Sequence, residues 1–188
     1  VVALNTPHNE RIGSVGKVLG NRIVRISKDG EIEVKNMGLP HYLENTAGLT
    51  SNLTSTPSSA ECEWLPTGDL GHLDDDGFLS LTGRLKEIIN RGGEKISPLE
   101  VDGTLSEHPA IAQCVTFAMP HDKLGEEVAA AIVLREGRTV TERALQEFAN
   151  TKLAAFKVPK KIVILEEIPK GATGKLQRIG LAQKLGLA

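Results

Sequence analysis

The segment Thr67–Glu100 divides the sequence into two regions with different patterns. Before it, short apolar runs are separated by Asp-Gly turns. After Gly83-Arg84, an apolar run and a pair of glycines lead into alternating helical and strand patterns. This change favours a β-rich region followed by a layered unit of strands and helices. We therefore expect two domains, residues 1–83 and 84–188.

The first region contains two hairpin patterns. Arg22–Ile26 and Glu31–Lys35 flank an Asp-Gly turn, in which glycine supplies the positive φ that a tight turn needs. Leu70–Leu73 and Phe78–Thr82 flank Asp74-Asp75-Asp76-Gly77 in the same way. Three aspartates could suggest a metal site, but their spacing is not that of an EF-hand, and we favour a turn.

Two further segments of this region are predicted to be irregular. Thr67-Gly68 is expected to form a tight turn that presents Asp69, and Thr46–Ser59, rich in Ser, Thr, Asn and Gly, is expected to be a loop.

The second region begins with a helix-start signal. Ser97 is expected to be the N-cap, Pro98 the first helical residue and Glu100 the partner in a capping box, with Val101 and Leu105 buried. Further along, we expect strands at Gln113–Ala118, Val128–Leu134 and Lys161–Leu165, a helix at Thr141–Asn150 with Leu145 and Phe148 inward, and a weak helix at Leu176–Leu187 broken by Gly180. The predicted class is α/β (α+β), with a small sheet flanked by helices.

Composition narrows the range of functions. Residues 84–188 carry 16 Lys and Arg against 13 Asp and Glu, a balance that suits a small anionic ligand but not nucleic acid. No apolar run approaches the roughly 20 residues that a membrane span requires.

Cys62, Cys114 and the five histidines have no metal-ligand spacing, so no protein-held metal is predicted. Two distant cysteines and no secretory pattern favour a reduced, cytoplasmic setting.

A glycine-rich loop, Pro169–Leu176, delivers Lys175. It does not fit a phosphate-binding P-loop, because only two residues separate Gly171 from Gly174 and Leu176 stands where that motif has Ser or Thr. Taken alone, Lys175 could be an exposed, solubilising side chain.

Taken together and in this order, the Thr67-Gly68-Asp69 segment, the stretch from Gly83-Arg84 to Glu100 and the Lys175 loop resemble the motifs of the adenylate-forming superfamily. This superfamily includes acyl-CoA synthetases, luciferases and peptide-synthetase adenylation domains. The resemblance covers nearly the whole chain. It implies that residues 1–83 end a large N-terminal domain and that residues 84–188 form a mobile C-terminal lid.

The resemblance also implies site residues and substrates. Lys175 would contact the substrate carboxylate and the α-phosphate, Asp69 the ribose hydroxyls, and Arg84 the ribose or phosphates. The matching residue for the hinge is Lys86, and the matching loop for thioester formation contains Gly92, Gly93 and Lys95. At Asn90, where some relatives have a lysine that aids the second step, the chain departs from the pattern. The implied substrates are ATP with Mg²⁺, CoA and a small carboxylic acid.

Within the superfamily, the segments Glu87–Pro98 and Leu153–Lys160 look most like oxalate-CoA ligases, with 4-coumarate-CoA ligase-like enzymes close by. The implied activity is that of an acid–thiol ligase, with oxalate as one candidate acid. Two alternatives stay open: a non-catalytic CoA- or nucleotide-binding regulatory module, and an adenylation domain that serves a carrier protein. The hinge lysine counts modestly against the carrier-protein alternative.

The chain begins Val-Val-Ala and lacks the superfamily's phosphate loop, adenine-binding strand and metal-binding glutamate. We therefore expect a fragment that is inactive alone and whose main partner is the missing N-terminal domain. A peroxisomal location is an alternative to the cytoplasmic one, although the chain does not end in a Ser-Lys-Leu-type signal.

Overall fold

The computed structural model describes residues 2–35, 64–171, 174 and 176–188. The chain divides into two compact units, residues 1–81 and 82–188. The predicted loop Thr46–Ser59, Cys62 and the candidate lysine Lys175 lie outside the described residues.

A six-stranded sheet is the main element of the first unit, with strand order β1-β2-β6-β5-β4-β3. The strands are β1 Ala3–Leu4, β2 Gly16–Val18, β3 Val24–Ile26, β4 Glu31–Lys35, β5 Trp64–Leu73 and β6 Phe78–Arg84, the last of which runs on into the second unit.

Both predicted hairpins of the first unit are confirmed. Strands β3 and β4 pair antiparallel around Gly30, which has a φ of 82°. Between β5 and β6, the Asp74 carboxylate accepts hydrogen bonds from the N–H groups of Asp76 and Phe78 at 3.1 and 2.8 Å. Arg11 pairs with both Asp74 and Asp76. Asp74 therefore shapes the turn that the Asp-Gly pattern predicts, and Arg11 offsets the negative charge of Asp74 and Asp76.

The predicted tight turn at Thr67-Gly68 is wrong, because these residues lie inside strand β5. Glu31 pairs with Leu70 while Glu33 pairs with Pro66, so β5 has extra residues that its partner β4 does not match. Gly68 has a φ of 76°, and its N–H donates to the Glu31 carboxylate at 2.8 Å. The segment is a bulge, which bends a strand without ending it.

The second unit is a mixed sheet with helices on both faces, which confirms the predicted α/β class. Its elements in chain order are a one-turn 3-10 helix Leu85–Glu87, β7 Ile89–Arg91, β8 Glu94–Ile96, α1 Pro98–Ser106, β9 Ile111–His121, β10 Gly125–Leu134, α2 Glu142–Asn150, β11 Lys161–Leu165 and α3 Leu181–Lys184. Strand β10 is central: it pairs antiparallel with β9 and parallel with β11, and it meets β7 where Gly125 pairs with Arg91.

The two faces of β10 enter two different hydrophobic clusters. Val128, Ala130 and Ile132 pack with Leu105 of α1 and Leu145 of α2. On the other face, Ala129 and Ala131 pack with Phe117, Ile168 and Leu181 of α3. All of these side chains have essentially no exposure to solvent. This period-2 division is what a strand covered on both sides requires.

The predicted capping box of α1 is wrong, although the helix begins as expected with Pro98 in its first turn. Ser97 makes no side-chain cap, since its hydroxyl donates to the Thr82 carbonyl instead. The Glu100 carboxylate binds the Lys157 ammonium at 2.7 Å. Both side chains that a capping box needs are used by tertiary contacts.

The two later helices differ in how well their patterns predicted them. Helix α2 is capped by Thr141, whose hydroxyl accepts from the Ala144 N–H at 3.2 Å, and Leu145 is fully buried as expected. Phe148 is only half-buried and meets the His108 ring edge-on at 5.0 Å. The predicted C-terminal helix shrinks to the four residues of α3, because Gly180 adopts a left-handed conformation just before it.

Candidate functional site

The predicted hinge lysine lies in the one-turn helix that follows β6. None of the three residues of this turn, Leu85–Glu87, is buried, and Lys86 is exposed. Arg84, the last residue of β6, is also exposed, whereas Gly83 before it is buried. The turn is therefore held by few apolar contacts of its own, and its backbone has room to change conformation.

The structure brings Gly92, Gly93 and Lys95 together on the hairpin β7–β8. Gly92 and Gly93 form the turn with φ values of 59° and 100°, which residues other than glycine rarely adopt. Asn90 faces Lys95 across the hairpin. A Cβ at Gly93 would meet no other atom within 4 Å, whereas one at Gly92 would lie 3.0 Å from Leu124 Cδ2. The tip is therefore open at Gly93 but not at Gly92, and Lys95 adds a positive charge to the hairpin.

Three hydrogen bonds hold this hairpin in place. The Gly92 N–H donates to the Leu124 carbonyl at 2.9 Å, and the Asn90 N–H donates to the Glu126 carboxylate at 2.6 Å. The Asn90 side-chain oxygen accepts from the Gly93 N–H at 3.1 Å. Asn90, the position at which the sequence departs from some relatives, therefore stabilises the double-glycine turn.

An ion pair of low exposure links the same hairpin to the central strand, since Arg91 is the last residue of β7 and Glu127 lies in β10. Arg91 Nε lies 2.6 Å from Glu127 Oε1, with side-chain exposures of 20% and 5%. Burial works against ionisation of Glu127, but the Arg91 hydrogen bond, the Val128 N–H and the positive charges of Arg91 and Lys160 outweigh it and hold the pKa of Glu127 below its ordinary value. The carboxylate is thus ionised at neutral pH. Sequence reasoning missed this pair, since its members are 36 residues apart.

Asp69 belongs to the other compact unit, where it follows Gly68 in the bulge of β5. Its side chain is half-buried, and its own N–H donates to the Thr67 hydroxyl at 3.2 Å. That hydroxyl donates in turn to the Ile32 carbonyl at 2.7 Å. The bulge therefore fixes the backbone that presents the Asp69 carboxylate.

The loop that contains Lys175 is described at both of its ends. Lys170 and Leu176 form an antiparallel bridge, and the Gly174 N–H donates to the Gly171 carbonyl at 2.9 Å. Lys170 also pairs with Glu167 at 2.6 Å. The described residues before and after Lys175 are therefore hydrogen-bonded to each other.

A cavity of about 320 Å³ lies in the second unit beside the predicted hinge turn. Its polar lining comes from Lys86, Glu87, Glu126, Arg178 and Gln183. The rest is supplied by Ile88, Ala118, Pro120, Ile179, Gly180, Ala182 and Ala188. Sequence reasoning did not find Arg178, and no local signal marks it, because its polar partners lie 62 to 91 residues away in the chain.

Cys114 is not a candidate nucleophile. Burial, and secondarily the negative charge of Asp102, raise the pKa of the Cys114 thiol far above neutrality, so the sulfur stays protonated. The Cys114 thiol donates a hydrogen bond to Asp102 Oδ1, with 3.6 Å between the sulfur and the oxygen.

Two negative findings apply only to the described residues. In them, no three His, Cys, Asp or Glu side chains gather closely enough to hold a metal ion. Nor do they include a helix with the length and hydrophobicity needed to cross a bilayer.

Comparison with known proteins gives consistent matches. Residues 100–175 match the family of AMP-binding enzyme C-terminal domains. The chain is 45% identical over 180 residues, 94% of its length, to an oxalate–CoA ligase from Arabidopsis thaliana. It covers 35% of that relative, so the chain spans about a third of the length of the curated relatives it matches.

Solved structures agree with this match. The o-succinylbenzoate CoA synthetase of Bacillus subtilis, in complex with its acyl-adenylate intermediate, is 32% identical with a TM-score of 0.70, over 89% of this chain and 35% of that one. The same enzyme in complex with ATP and a magnesium ion is 30% identical with a TM-score of 0.73, over 96% of this chain and 38% of that one. In sequence and in fold, the chain is similar to adenylate-forming enzymes, and its residues 100–175 match the C-terminal domain of AMP-binding enzymes.

Proposed function

We propose that this chain is the C-terminal part of an acid–thiol ligase. The enzyme would use ATP to activate a carboxylic acid and would transfer the acyl group to CoA. The strongest support is the 45% identity to a named acid–CoA ligase over 94% of the chain, together with a double-glycine turn at Gly92 and Gly93 and an exposed turn that contains Lys86.

The first step would be adenylation. A carboxylate oxygen attacks the α-phosphorus of ATP, an oxygen–phosphorus bond forms, and pyrophosphate leaves with the electrons of the broken bond. Lys175 would offset the charge that builds where the two anions meet. Asp69 would accept hydrogen bonds from the ribose hydroxyls, which suits an acceptor-only carboxylate, and Arg84 would bind the ribose or phosphates with its fork of donors.

The second step would be thioester formation. The CoA sulfur attacks the acyl carbonyl, its proton goes to solvent, and AMP leaves. The absence of side chains at Gly92 and Gly93, with open space at Gly93, would let the pantetheine arm approach the backbone, and Lys95 would attract the negatively charged CoA. Rotation of the lid, residues 84–188, about Lys86 would exchange the two sets of residues.

The described residues have no group that fits a metal, so Mg²⁺ would arrive with ATP and be held outside this part of the chain. When bound it would neutralise phosphate charge. We assign no step of this chain to it.

The experiment is an assay of the full-length protein with ATP, CoA and oxalate, with o-succinylbenzoate as the alternative acid. We expect oxalate-dependent exchange of pyrophosphate into ATP and formation of oxalyl-CoA. Exchange only with the alternative acid would retain the ligase and reject oxalate. Absence of exchange with every acid in a panel of small carboxylates would reject the ligase. The 188-residue chain alone should give no turnover, because it spans only about a third of the length of the relatives it matches.

A further inference from the structure

Arg178 binds three separate elements of the second unit at once. Its Nε lies 3.0 Å from a Glu87 carboxylate oxygen in the hinge turn, and one of its terminal nitrogens lies 2.6 Å from Asp102 Oδ2 on α1. The same nitrogen donates to the Thr116 carbonyl on β9 at 3.0 Å. The Arg178 side chain is only 16% exposed. A planar guanidinium can serve several acceptors in fixed directions, which a lysine ammonium cannot do.

The contact on α1 is part of the rigid body of the unit. Asp102 is 14% exposed, and its second oxygen accepts from the Thr116 N–H at 2.6 Å and from the Cys114 thiol. Helix α1 itself is fixed in the core by Val101 and Leu105. Asp102 therefore anchors Arg178 to the sheet and its first helix.

The contact on Glu87 is different in kind, because the turn that carries Glu87 has no buried residue. Leu85 is 46% exposed, and the Glu87 side chain keeps 25% of its surface in solvent. An ion pair of low exposure is stronger than a surface pair and here has few competing contacts. The Glu87–Arg178 pair is thus a principal link between the hinge turn and the rest of the unit.

Arg178 also lies close in sequence to the candidate catalytic lysine. It follows Lys175 by three residues, and Leu176 between them pairs with Lys170 at the closed end of the loop. Three residues further on, Leu181 of α3 is fully buried against the sheet. Arg178 therefore lies between the bridge at Leu176 and the buried helix α3, and its contacts fix the residues that join them.

We propose that Arg178 is a positioning residue that couples the hinge turn to the segment carrying Lys175. Through Glu87 it fixes the residue next to Lys86, and through Asp102 and Thr116 it fixes the segment after Lys175 to the same body. A rotation at Lys86 would then move the hinge turn and the segment after Lys175 together. The proposal rests on the adenylation function proposed above and extends it to a residue that the resemblance did not assign.

The test uses Glu87→Ala, which removes one acceptor of Arg178, and Lys157→Ala as the matched control. Lys157 pairs with Glu100, also on α1, at 2.7 Å, so the control removes an ion pair from the same helix without touching Arg178. Arg178→Lys is the second variant, since it keeps the charge but loses the fork. Each is made in the full-length protein.

The first measurement is hydrogen exchange, which does not depend on activity. In Glu87→Ala we expect the amides of residues 85–89 and 176–187 to exchange faster by about fivefold or more, while Lys157→Ala leaves them unchanged. Unchanged exchange at 176–187 in Glu87→Ala would overturn the coupling, whether or not the protein proves to be a ligase.

The second measurement separates the half-reactions. Glu87→Ala and Arg178→Lys should slow carboxylate-dependent pyrophosphate exchange by about tenfold, because the hinge turn and the segment after Lys175 are no longer linked through Arg178, and should change thioester formation from supplied acyl-adenylate by less than about twofold. Equal loss of both steps, or loss of neither, would reject the positioning role. A wild-type protein without exchange activity would instead reject the ligase function, and with it this role in the reaction.

Discussion

The two compact units bury their apolar side chains to very different extents. Among the described residues, the first unit buries four apolar side chains, Ile32, Val34, Phe78 and Leu79, whereas the second buries 21. The second unit has a sheet covered on both faces, while in the first unit β3 alternates between half-buried and exposed residues and β4 between half-buried and buried ones. Burial of apolar side chains on both faces stabilises the fold of a sheet. A sheet that buries few apolar side chains gains much less stability from this effect.

The largest expected effect of this difference is in folding itself. In the 188-residue chain, amides of β9, β10 and α1 should exchange about 100-fold or more slowly than those of β3 and β4, because core elements open only with the global transition. Residues 82–188 expressed alone should unfold cooperatively. Equal protection of the two units would show that the four buried residues suffice and would break the comparison.

Next in size is the loss of Lys175 in the full-length protein. Lys175→Ala should slow adenylation by about 10² to 10³, the scale for losing one preorganised electrostatic contact. Thioester formation from supplied acyl-adenylate should continue, because the lid has rotated by then. Pyrophosphate exchange and single-turnover thioester assays measure the two steps, and equal loss of both, with the fold intact, would contradict the rotating-lid assignment.

Lys86→Pro should give the opposite result. Proline fixes φ and would stiffen the exposed turn between β6 and β7, so adenylation should persist while transfer to CoA falls by about tenfold or more. The same two assays decide this. A variant that transfers as fast as wild type would mean that the lid pivots elsewhere.

A smaller effect should follow from breaking the buried pair of the second unit. Glu127→Gln leaves Arg91, 20% exposed, without its carboxylate and should lower the unfolding free energy by about 2 kcal/mol at pH 7. The folded-state pKa of Glu127 lies below its ordinary value, so its stabilisation is complete above about pH 4.5 and is lost as the pH falls through the folded pKa.

The gap between wild type and Glu127→Gln in denaturant titrations should therefore shrink below about pH 4.5. Glu147→Gln, in an exposed pair with Arg143 on α2, is the control and should leave the titration unchanged. A gap that is constant with pH would show that the charge of Glu127 does not matter.

The smallest effect is expected in the first unit. Asp74→Asn keeps the side-chain oxygen that accepts from Phe78 and removes only the charge opposite Arg11, which retains Asp76. The Phe78 N–H, and secondarily Arg11, lower the pKa of Asp74, yet the pair is solvent-exposed. We expect an unchanged thermal midpoint at pH 7. A clear decrease would show that this unit depends on its surface charges.

The elements of both units could be predicted from sequence where the signal is local. Asp-Gly turns located both hairpins, Pro98 located the start of α1, and the spacing of apolar residues identified Leu145 as buried. The errors came from contacts distant in sequence. Ser97 and Glu100 have the composition of a capping box, but the Thr82 carbonyl and Lys157 compete successfully for them.

The candidate site shows the same limit. Gly92 and Gly93 were identified through the resemblance to the superfamily, and both lie in a turn with positive φ. Arg178, Glu87 and Asp102 could not, because none has a neighbour in sequence that indicates its partner. The bulge at Gly68 escaped prediction for a related reason: only the register of β4 shows that β5 continues through it.

The three consecutive alanines at the centre of β10 have a mechanical consequence. Ala129, Ala130 and Ala131 alternate between the two faces and are fully buried, so the layers above and below approach the middle strand as closely as methyl groups allow. A close-packed interior without voids is stiff, because it has little free volume in which to deform. The unit is therefore expected to be stiff along its central strand, and changes in its thickness are expected at the edge of the sheet, where strand β8 of the hairpin β7–β8 lies.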